Sequence, residues 1–404
     1  MKKVLLIVLA VVMIVSLCGC QKMTDVQKVY CGAAHSGALD DDGNLWLWGD
    51  NFFGQLANGK KTTVKDDITV VENNDAYSPV LTFENVKDAA LGNGFTLVLL
   101  NDGRLMSYGR NDMCQLGRGD DDDECILTDV VQISTCTHTS TAITSNGDLY
   151  VWGKSIAGYD GEVETVDTPT VVAKNAVSVS VGGSHLAYFD NDGKLWGLGY
   201  LANLGAGYET VNEFITEPML ISDNAKYVSC GSQTTYYIDS SDLLWGTGAN
   251  GFSGSVGDGS GEWWLYDYRQ IAENVKEVYG PASMYLSNDG MLYAWDDLAD
   301  TIKYRDEDGQ ETGGQLGENP IVSYGSSPVE FLGGMKTAAG STSHRIAVDE
   351  NGYIYSWGLN TYGRLGNGKC TVLERKVVYD DGEYIEYDYN KIVNEDAVEP
   401  IKIK

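Results

Sequence analysis

The sequence predicts an all-β protein folded as a seven-bladed β-propeller, and two observations support that fold class. An eight-residue motif, first written Asp42-Gly43-Asn44-Leu45-Trp46-Leu47-Trp48-Gly49, occurs seven times. Its turn position recurs at Gly43, Gly103, Gly147, Gly193, Asp242, Gly290 and Gly352. Repeats of short strands with a period of roughly 40–50 residues are typical of propellers or repeat arrays. One sheet is therefore expected for each copy.

Each copy supplies four short strands. The first often opens with proline, as in Ser78-Pro79-Val80, and proline at the start of a strand removes no ladder bond that is needed. An inner strand that ends at a small residue follows, as in 86–92. A third strand then leads through an Asp-Gly or Asn-Gly turn into the Leu-x-aromatic strand, and this turn is a strong hairpin signal because it requires positive φ. A glycine-rich exit, such as Gly363-Arg364-Leu365-Gly366, ends the copy.

The two chain ends are predicted to close the ring. The first copy begins at Val26-Gln27-Lys28-Val29 without a proline-led strand, and such a segment, Glu399-Pro400-Ile401-Lys402-Ile403, stands at the C-terminus instead. We therefore expect the C-terminal strand to join the N-terminal blade, which leaves no open sheet edge. Residues 26–404 then form a single propeller domain, and residues 20–25 form a short tether.

The first 19 residues are predicted to be a signal peptide. Lys2 and Lys3 precede an apolar run, 4–17, that is shorter than the roughly 20 residues of a membrane span. The Leu17-Cys18-Gly19-Cys20 segment resembles a bacterial lipobox, which implies cleavage before Cys20 and a diacylglycerol on its thiol. Several acyl chains, such as palmitate, would hold the protein stably, since one chain binds only marginally. The alternatives are an ordinary signal peptide with an incidental cysteine and an uncleaved anchor.

The composition makes the chain strongly acidic. Asp and Glu number 58 against 28 Lys and Arg, which gives a formal charge of −30. Such a protein repels phosphate backbones, so nucleic-acid binding is not expected and a basic partner is favoured. Acidic runs such as 120–124 fit solvated turns. Calcium is the alternative, but no run has the ligand spacing of an EF-hand loop.

Cysteines follow the repeat in part. Cys31, Cys136 and Cys230 stand close to the strand before the motif, where a cysteine serves as a small hydrophobe. Cys114 and Cys125 lie in loops, and a disulfide between them stays open as a possibility in an oxidising compartment. No cysteine pair has metal-ligand spacing.

All four histidines occupy one repeat position, a few residues into the third strand: His35, His138, His185 and His344. A shared position favours packing or hydrogen bonding over catalysis, and a ring of histidines around a metal is the less favoured alternative. The sequence contains no nucleophile elbow, zinc-protease motif or phosphate loop. We therefore expect no catalytic residue, no metal and no cofactor.

One aromatic cluster falls outside the motif. Trp263, Trp264, Tyr266 and Tyr268 lie in an insertion after the fifth exit, whereas the other tryptophans belong to the motif strand and are predicted to pack between blades. Exposed clusters of rigid rings favour recognition sites, so these four residues are the first candidate binding site. The alternative is that 263–268 opens the sixth blade, with alternate rings buried.

Phe52 and Phe53, in the first exit loop, are the second candidate binding site. Long loops on the rim of a propeller offer further surface, and the longest are expected at 60–78, 259–270, 298–313 and 371–397. The last of these holds four tyrosines among acids, namely Tyr379, Tyr384, Tyr387 and Tyr389.

The repeat resembles that of the regulator of chromosome condensation repeat family. The resemblance rests on Gly, then His, then an apolar strand, then Asp-Gly-x-Leu-x-x-Trp-Gly and Gly-Gln-Leu-Gly, and it spans nearly all of 26–404. The third copy lacks the Gln-Leu-Gly exit, and the fifth has Asp242 in place of the turn glycine. The resemblance implies a seven-bladed propeller, and functions that range over nucleotide exchange, enzyme inhibition and scaffolding.

Together these features favour a binding module over an enzyme. We expect a monomeric, lipid-anchored propeller on the outer side of the cell membrane that binds a protein or an envelope component as a scaffold or inhibitor. Export would separate it from any cytosolic GTPase. The alternative is a lyase or hydrolase acting on envelope polysaccharide, which needs two carboxylates about 5–9.5 Å apart beside aromatic platforms. The sequence shows no recognisable arrangement of that kind.

Overall fold

The computed structural model describes residues 22–65, 69–119, 124–154, 165–207, 213–251, 255–295, 304–305, 311–312, 325–371, 375–379, 383–387 and 395–404. Within them lie seven four-stranded antiparallel sheets in chain order, which confirms the predicted all-β, seven-bladed propeller. The predicted signal peptide and Cys20 lie outside these residues. No helix in the described part of the chain has the length and apolar character needed to cross a membrane.

Each blade is one contiguous stretch of chain. Blade 1 consists of β1 (Val26–Cys31), β2 (His35–Asp40), β3 (Leu45–Gly49) and, after the hairpin β4 (Thr63–Lys65) and β5 (Thr69–Glu72), β6 (Ala76–Phe83). Blade 2 consists of β7 (Val86–Leu91), β8 (Phe95–Leu100), β9 (Leu105–Gly109) and β10 (Cys125–Leu127). Blade 3 consists of β11 (Val130–Cys136), β12 (Thr139–Thr144), β13 (Leu149–Lys154) and β14 (Thr165–Ala173). Blade 4 consists of β15 (Ala176–Val181), β16 (His185–Asp190), β17 (Leu195–Tyr200) and β18 (Phe214–Ser222).

The remaining blades follow the same plan. Blade 5 consists of β19 (Ala225–Cys230), β20 (Thr234–Asp239), β21 (Leu244–Ala249) and β22 (Trp264–Ala272). Blade 6 consists of β23 (Val275–Tyr279), β24 (Met284–Ser287), β25 (Leu292–Ala294) and, after β26 (Tyr304–Arg305) and β27 (Glu311–Thr312), β28 (Val329–Leu332). Blade 7 consists of β29 (Met335–Gly340), β30 (His344–Asp349), β31 (Ile354–Gly358) and, after β32 (Arg375–Tyr379) and β33 (Glu383–Tyr387), β34 (Ala397–Lys402). Helical structure in the described residues is limited to two 3-10 turns, Leu201–Asn203 and Gly280–Ala282.

The C-terminal strand pairs differently from the prediction. β34 lies beside β31, with Ile401 opposite Ser356, so it is the outer strand of blade 7 and does not join the N-terminal blade. The other proline-led strands behave alike: β6, which contains Pro79, pairs with β3 of its own blade. Proline is tolerated there because an outer strand has one edge without a ladder partner. The proline-led strand therefore ends a copy instead of beginning one.

Side-chain packing closes the ring between blades 7 and 1. Met23 and Val26 share a buried apolar cluster with Ile346 of blade 7, and Ile403 packs against the same cluster. Lys336 Nζ donates to the Val26 carbonyl at 3.3 Å. The two chain ends are thus neighbours, as predicted, although no sheet ladder crosses this junction in the sheets that the structure describes.

The motif tryptophans divide into two groups. Trp48, Trp152 and Trp295 are fully buried, and their Nε1 atoms donate to a carbonyl of the preceding blade's exit loop at 2.9–3.0 Å. For these, the predicted packing between blades is confirmed. Trp46, Trp196 and Trp245 stay within their own hairpins, because Nε1 donates to the aspartate at the end of the second strand, namely Asp40, Asp190 and Asp239. Trp357 is also fully buried, and it packs between blades with its ring 5.0 Å from that of Phe331 in blade 6.

Three of the four histidines link neighbouring blades, which confirms a structural role for them. They are completely buried, and each Nε2 meets a polar atom of the next blade. The pairs are His35 with Thr96 Oγ1 (2.9 Å), His344 with Ser36 Oγ (2.7 Å) and His185 with the Thr234 carbonyl (3.3 Å). No three His, Cys, Asp or Glu side chains within the described ranges cluster as metal ligands would. Cys114 and Cys125 are not joined by a disulfide.

Candidate functional site

The two faces of the propeller are built differently. On one face, which we call the turn face, lie the tight turns between second and third strands and the connections into the next inner strand. On the opposite face, which we call the exit face, lie the loops that follow the third strands. Exit loops differ in length and residue type from blade to blade, so the exit face carries the individual surface of this chain.

An asparagine at the start of an exit loop gives it a fixed shape. Asn51 Oδ1 accepts the Leu56 N–H at 3.0 Å, and its Nδ2 donates to the Lys60 carbonyl at 3.1 Å. Asn360 repeats this arrangement in blade 7, where its Oδ1 accepts the Leu365 N–H at 3.0 Å. These bonds satisfy backbone groups that a loop would otherwise leave to water, and they hold the intervening side chains in defined positions.

Two carboxylates hold the first exit loop in place by accepting hydrogen bonds from it. Asp50 accepts the Phe52 N–H at 3.0 Å and the Gln55 amide at 2.7 Å, and Asp75 accepts the Thr62 hydroxyl at 2.7 Å. Burial raises the pKa of both carboxyl groups, and the charge of Asp75 raises that of Asp50 further. Both are committed to holding the loop, which does not favour an acid/base couple at this position.

The best surface for recognition is formed by the exit loops of blades 7, 1 and 2, and we call Phe52, Phe53, Arg110 and Tyr362 the aromatic rim. Phe53 and Tyr362 occupy equivalent loop positions, two residues after Asn51 and Asn360. Phe52 and Phe53 are each 40% exposed and meet edge to face at 4.9 Å between ring centroids, and Tyr362 is 49% exposed. Three large rings therefore face solvent along consecutive blades.

Arg110 holds Phe53 across the boundary between blades 1 and 2. Its Cζ lies 5.3 Å from the centroid of the Phe53 ring, a distance typical of a cation–π contact. The Arg110 guanidinium also pairs with Asp112, and this bond lowers the pKa of the Asp112 carboxyl. A Cβ on Gly94 would come within 2.9 Å of the Phe53 ring, so the glycine makes room for this packing.

Arg364 holds the Tyr362 loop across the boundary between blades 7 and 1, as Arg110 holds Phe53 between blades 1 and 2. It is almost completely buried, and its Nη1 donates to the Ala33 carbonyl at 3.1 Å and to Ser343 Oγ at 2.7 Å. Its Cζ lies 5.8 Å from the Tyr362 ring centroid. Burial lowers the pKa of the Arg364 guanidinium. The arginine thus fixes the Tyr362 loop to blade 1.

The other predicted cluster lies on blade 5, well away from the aromatic rim. β22 is the outer strand of blade 5, so this segment does not open the sixth blade. Trp264 Nε1 donates to the Ala202 carbonyl at 3.0 Å, and the half-buried Tyr268 ring lies 4.9 Å from Tyr237. Trp263 is 60% exposed. Trp264 and Tyr268 are thus engaged in packing, Trp263 presents a surface ring, and a binding role for this cluster stays a prediction.

Sequence reasoning found Phe52 and Phe53 but missed Arg110 and Tyr362. The signal was present in the aligned exit loops, which begin with Asn and carry an apolar residue two places later: Asn51-Phe52-Phe53, Asn111-Asp112-Met113, Asn250-Gly251-Phe252 and Asn360-Thr361-Tyr362. Comparison of these four loops identifies Tyr362 as the residue of blade 7 that corresponds to Phe53. Arg110 directly precedes the asparagine, at the position that Asp50 occupies in blade 1.

Models of the regulator of chromosome condensation repeat match residues 26–55, 42–99 and 351–378. The chain is also similar to the X-linked retinitis pigmentosa GTPase regulator of Canis lupus familiaris, with 32% identity over 32% of this chain and 13% of that protein. Protein pim1 of Schizosaccharomyces pombe is 30% identical over 40% of this chain and 34% of its own length. The chain therefore spans well under half of these relatives.

Among solved structures, Prp20p from Saccharomyces cerevisiae superposes with a TM-score of 0.66 at 19% identity, over 95% of this chain and 87% of that one. Prp20p has been described with its binding properties to Gsp1p and histones, and also bound to Kap60. Human WBSCR16 gives a TM-score of 0.51 at 17% identity, over 94% and 82% of the two chains. At these identities the likeness concerns the fold.

Proposed function

Because this chain belongs to the regulator of chromosome condensation repeat family, we propose that it is a non-enzymatic protein-binding module whose contact surface is the aromatic rim. The single observation that carries the proposal is the row of exposed Phe52, Phe53 and Tyr362 rings. Aromatic residues and arginine dominate the energetic centres of protein interfaces, because rigid rings bury much area at a small entropic cost.

The solved relatives support a protein as the partner. Prp20p is known with Gsp1p, histones and Kap60, all of which are proteins. The formal charge of −30 favours a partner with a basic surface, since complementary charge accelerates association. Exchange activity on a GTPase is not carried over to this chain.

The proposal includes the predicted lipid on Cys20 and an extracytoplasmic location, with a scaffold or inhibitor role there. Met23 is already buried in the blade 1 cluster, and a residue spans at most about 3.6 Å, so a lipid on Cys20 would hold the propeller close to the bilayer. β1 starts on the turn face. The turn face would then look toward the membrane and the aromatic rim away from it, where a partner has access.

Affinity capture tests the contact surface. The full chain is used to recover partners from a cell-envelope extract, and Phe53→Ala/Tyr362→Ala is compared with Leu220→Ala/Val329→Ala, which truncates two residues of similar exposure on outer strands. We expect the rim variant to lose more than about tenfold in recovery, since a hot-spot ring contributes about 2 kcal/mol or more. Equal recovery by both variants would rule out the aromatic rim.

Two further variants separate the parts of the proposal. Loss of recovery in Trp263→Ala, with the rim variant unaffected, would move the contact surface to blade 5. Cys20→Ala should release the protein from membranes or leave it unprocessed, and unchanged acyl labelling of that variant would refute the anchor without touching the binding proposal.

A further inference from the structure

A cavity of about 450 Å³ lies against the inner strands of blades 3, 4 and 5. That volume is within the range of sites for small molecules. Its lining mixes apolar side chains, such as Ile133 and Phe189, with polar ones, among them Ser180, Ser229 and Lys226. Gly193 of the turn face also belongs to the lining. The aromatic rim lies on the opposite face, so the cavity is separate from the proposed contact surface.

The cavity exists because the inner strands differ around the ring. The fifth position of β11, β15 and β19 is a serine, at Ser134, Ser180 and Ser229. The corresponding residues of β1 and β23 are Tyr30 and Tyr279. The tyrosines fill their side of the ring, where Tyr30 donates to Asp88 at 2.8 Å and Tyr279 accepts the Ala338 N–H at 3.0 Å. Three consecutive serines leave the other side open.

Each of these serines uses its hydroxyl oxygen as an acceptor, and the Ser180 hydroxyl also lies within hydrogen-bond reach of the Cys230 thiol. Their Oγ atoms accept a backbone N–H from the next blade: Ser134 from Val181 (3.3 Å), Ser180 from Cys230 (2.9 Å) and Ser229 from Gly280 (3.0 Å). A hydroxyl group is both an acceptor and a donor. Because the next blade occupies the acceptor side, the O–H of each serine can donate to a ligand in the cavity.

The charge of the lining is unusual for this chain. Lys226 is a lining residue, whereas none of the residues that line the cavity, all of which the structure describes, is Asp or Glu. The whole chain carries a formal charge of −30. Lys226 pairs with Asp242 outside the cavity, and this bond lowers the pKa of the Asp242 carboxyl. An anion entering the cavity therefore meets the Lys226 side chain and hydroxyl groups. No carboxylate belongs to the lining, although the Glu277 carboxylate of blade 6 lies close enough to raise the pKa of the lining residue Tyr227 beyond the effect of burial.

The turn at Gly193 leaves the cavity accessible. At five other junctions the first residue of an inner strand donates to the turn carbonyl of the preceding blade at 2.9–3.0 Å, as Val86 does to Gly43. Nothing lies within 4 Å of the point where a Cβ on Gly193 would stand. Blades 4 and 5 therefore part at the turn face beside the cavity.

We propose that this cavity binds a small anion that carries a phosphate group. A phosphate offers more acceptor oxygens than a carboxylate, which suits three hydroxyl donors from successive strands together with one ammonium group. Inorganic phosphate and the headgroup of a phospholipid share this chemistry. The proposal does not depend on the aromatic rim or on the lipid anchor.

Calorimetric titration of the full chain tests the assignment, with inorganic phosphate, glycerol phosphate and glucose as probes. Lys226→Gln should lower the association constant for phosphate about tenfold or more, whereas Asp242→Asn, which frees Lys226, should raise it. Lys276→Gln is the matched control, because Lys276 holds the same strand position in blade 6 but does not line the cavity. Tighter binding of glycerol phosphate than of inorganic phosphate would identify a headgroup as the source.

A second pair of variants tests the location. Val177→Trp places a large ring on a lining residue that is 50% exposed and should abolish binding, and Val131→Trp, at the same position in blade 3, should leave it unchanged. Equal effects of Lys226→Gln and Lys276→Gln, binding that survives Val177→Trp, or no phosphate binding at all would overturn the proposal. Binding of glucose without phosphate would assign the cavity to neutral sugars instead and would equally overturn it.

Discussion

The junction between blades 7 and 1 is clamped at its exit-face end, whereas the junction between blades 4 and 5 is open at its turn-face end. Between blades 7 and 1, the buried Arg364 donates to Ala33 and Ser343, and Ser36 joins His344. Between blades 4 and 5, no atom lies within 4 Å of where a Cβ on Gly193 would be, and a cavity adjoins this turn. Single residues at the two ends of a junction thus determine whether it is clamped, as at Arg364, or adjoins a cavity, as at Gly193.

The largest expected effect comes from removing the clamp. Arg364→Ala should lower the free energy of unfolding by about 2–4 kcal/mol, because it removes buried packing, leaves the Thr361 carbonyl without its arginine donor and removes one of the two donors to the Ala33 carbonyl. Denaturant unfolding at neutral pH measures the loss. Arg364→Gln is the control, since Gln55 and Gln115 occupy the same loop position in blades 1 and 2. If both variants lose the same stability, the clamp is not specific to arginine.

Acid should weaken the junction of blades 1 and 2 and the junction of blades 4 and 5, which His35 and His185 bridge. Burial lowers the pKa of His35 to about 3, with the Arg364 charge adding to the effect, and lowers that of His185 to about 4. The unfolded chain then binds more protons below pH 6.5, so stability is constant above that pH and falls as the pH drops toward 4. At pH 5 each histidine contributes a loss of about 2 kcal/mol.

Unfolding curves at pH 7 and pH 5 check the acid effect. His35→Gln and His185→Gln should each flatten the pH dependence by about 2 kcal/mol. Burial and Arg364 also hold the pKa of His344 well below its usual value, so hydrogen exchange should report opening between blades 7 and 1 before opening between blades 4 and 5. The reverse order would contradict the comparison.

A pair of glycine substitutions tests how open the second junction is. Gly103 and Gly193 both have positive φ, at 86° and 77°. A Cβ on Gly103 would lie 3.3 Å from Asp129 Cα, whereas one on Gly193 would meet nothing within 4 Å. Both alanine variants lose about 1 kcal/mol from the unfavourable φ, and Gly103→Ala should lose about 1 kcal/mol more. Equal melting temperatures would mean that blades 4 and 5 are as tightly packed as blades 2 and 3.

The smallest change in the free energy of unfolding is expected for Lys226→Gln. Its ion pair with Asp242 is well exposed on both sides, at 41% and 38%, and exposed pairs contribute about 0–1 kcal/mol. The variant should therefore unfold within about 0.5 kcal/mol of the parent protein, which a thermal melt can measure. A larger loss would give Lys226 a structural role that the open junction does not require.

The sequence predicts the repeat and the number of blades, but it does not show which strand begins and which strand ends a blade. Seven motif copies predict seven sheets, and a shared position predicts a structural role for the histidines. A cyclic pattern does not state where a unit begins, so only strand pairing shows that Pro79 closes blade 1 and Pro400 closes blade 7. Tyr362 is a single aromatic residue in a glycine-rich loop and attracts no notice alone. The serines of the cavity read as ordinary small residues of a buried strand.

Contiguous blades have a consequence for how the protein could be rewired. Met23 and Ile403 pack in one cluster, so the two ends of the propeller domain are adjacent and a short linker could join them. New termini cut at any other blade boundary would yield a circular permutant with the same seven sheets. If the N-terminus carries the proposed lipid, such a permutant would turn the propeller about its central axis and bring a different blade nearest to the membrane.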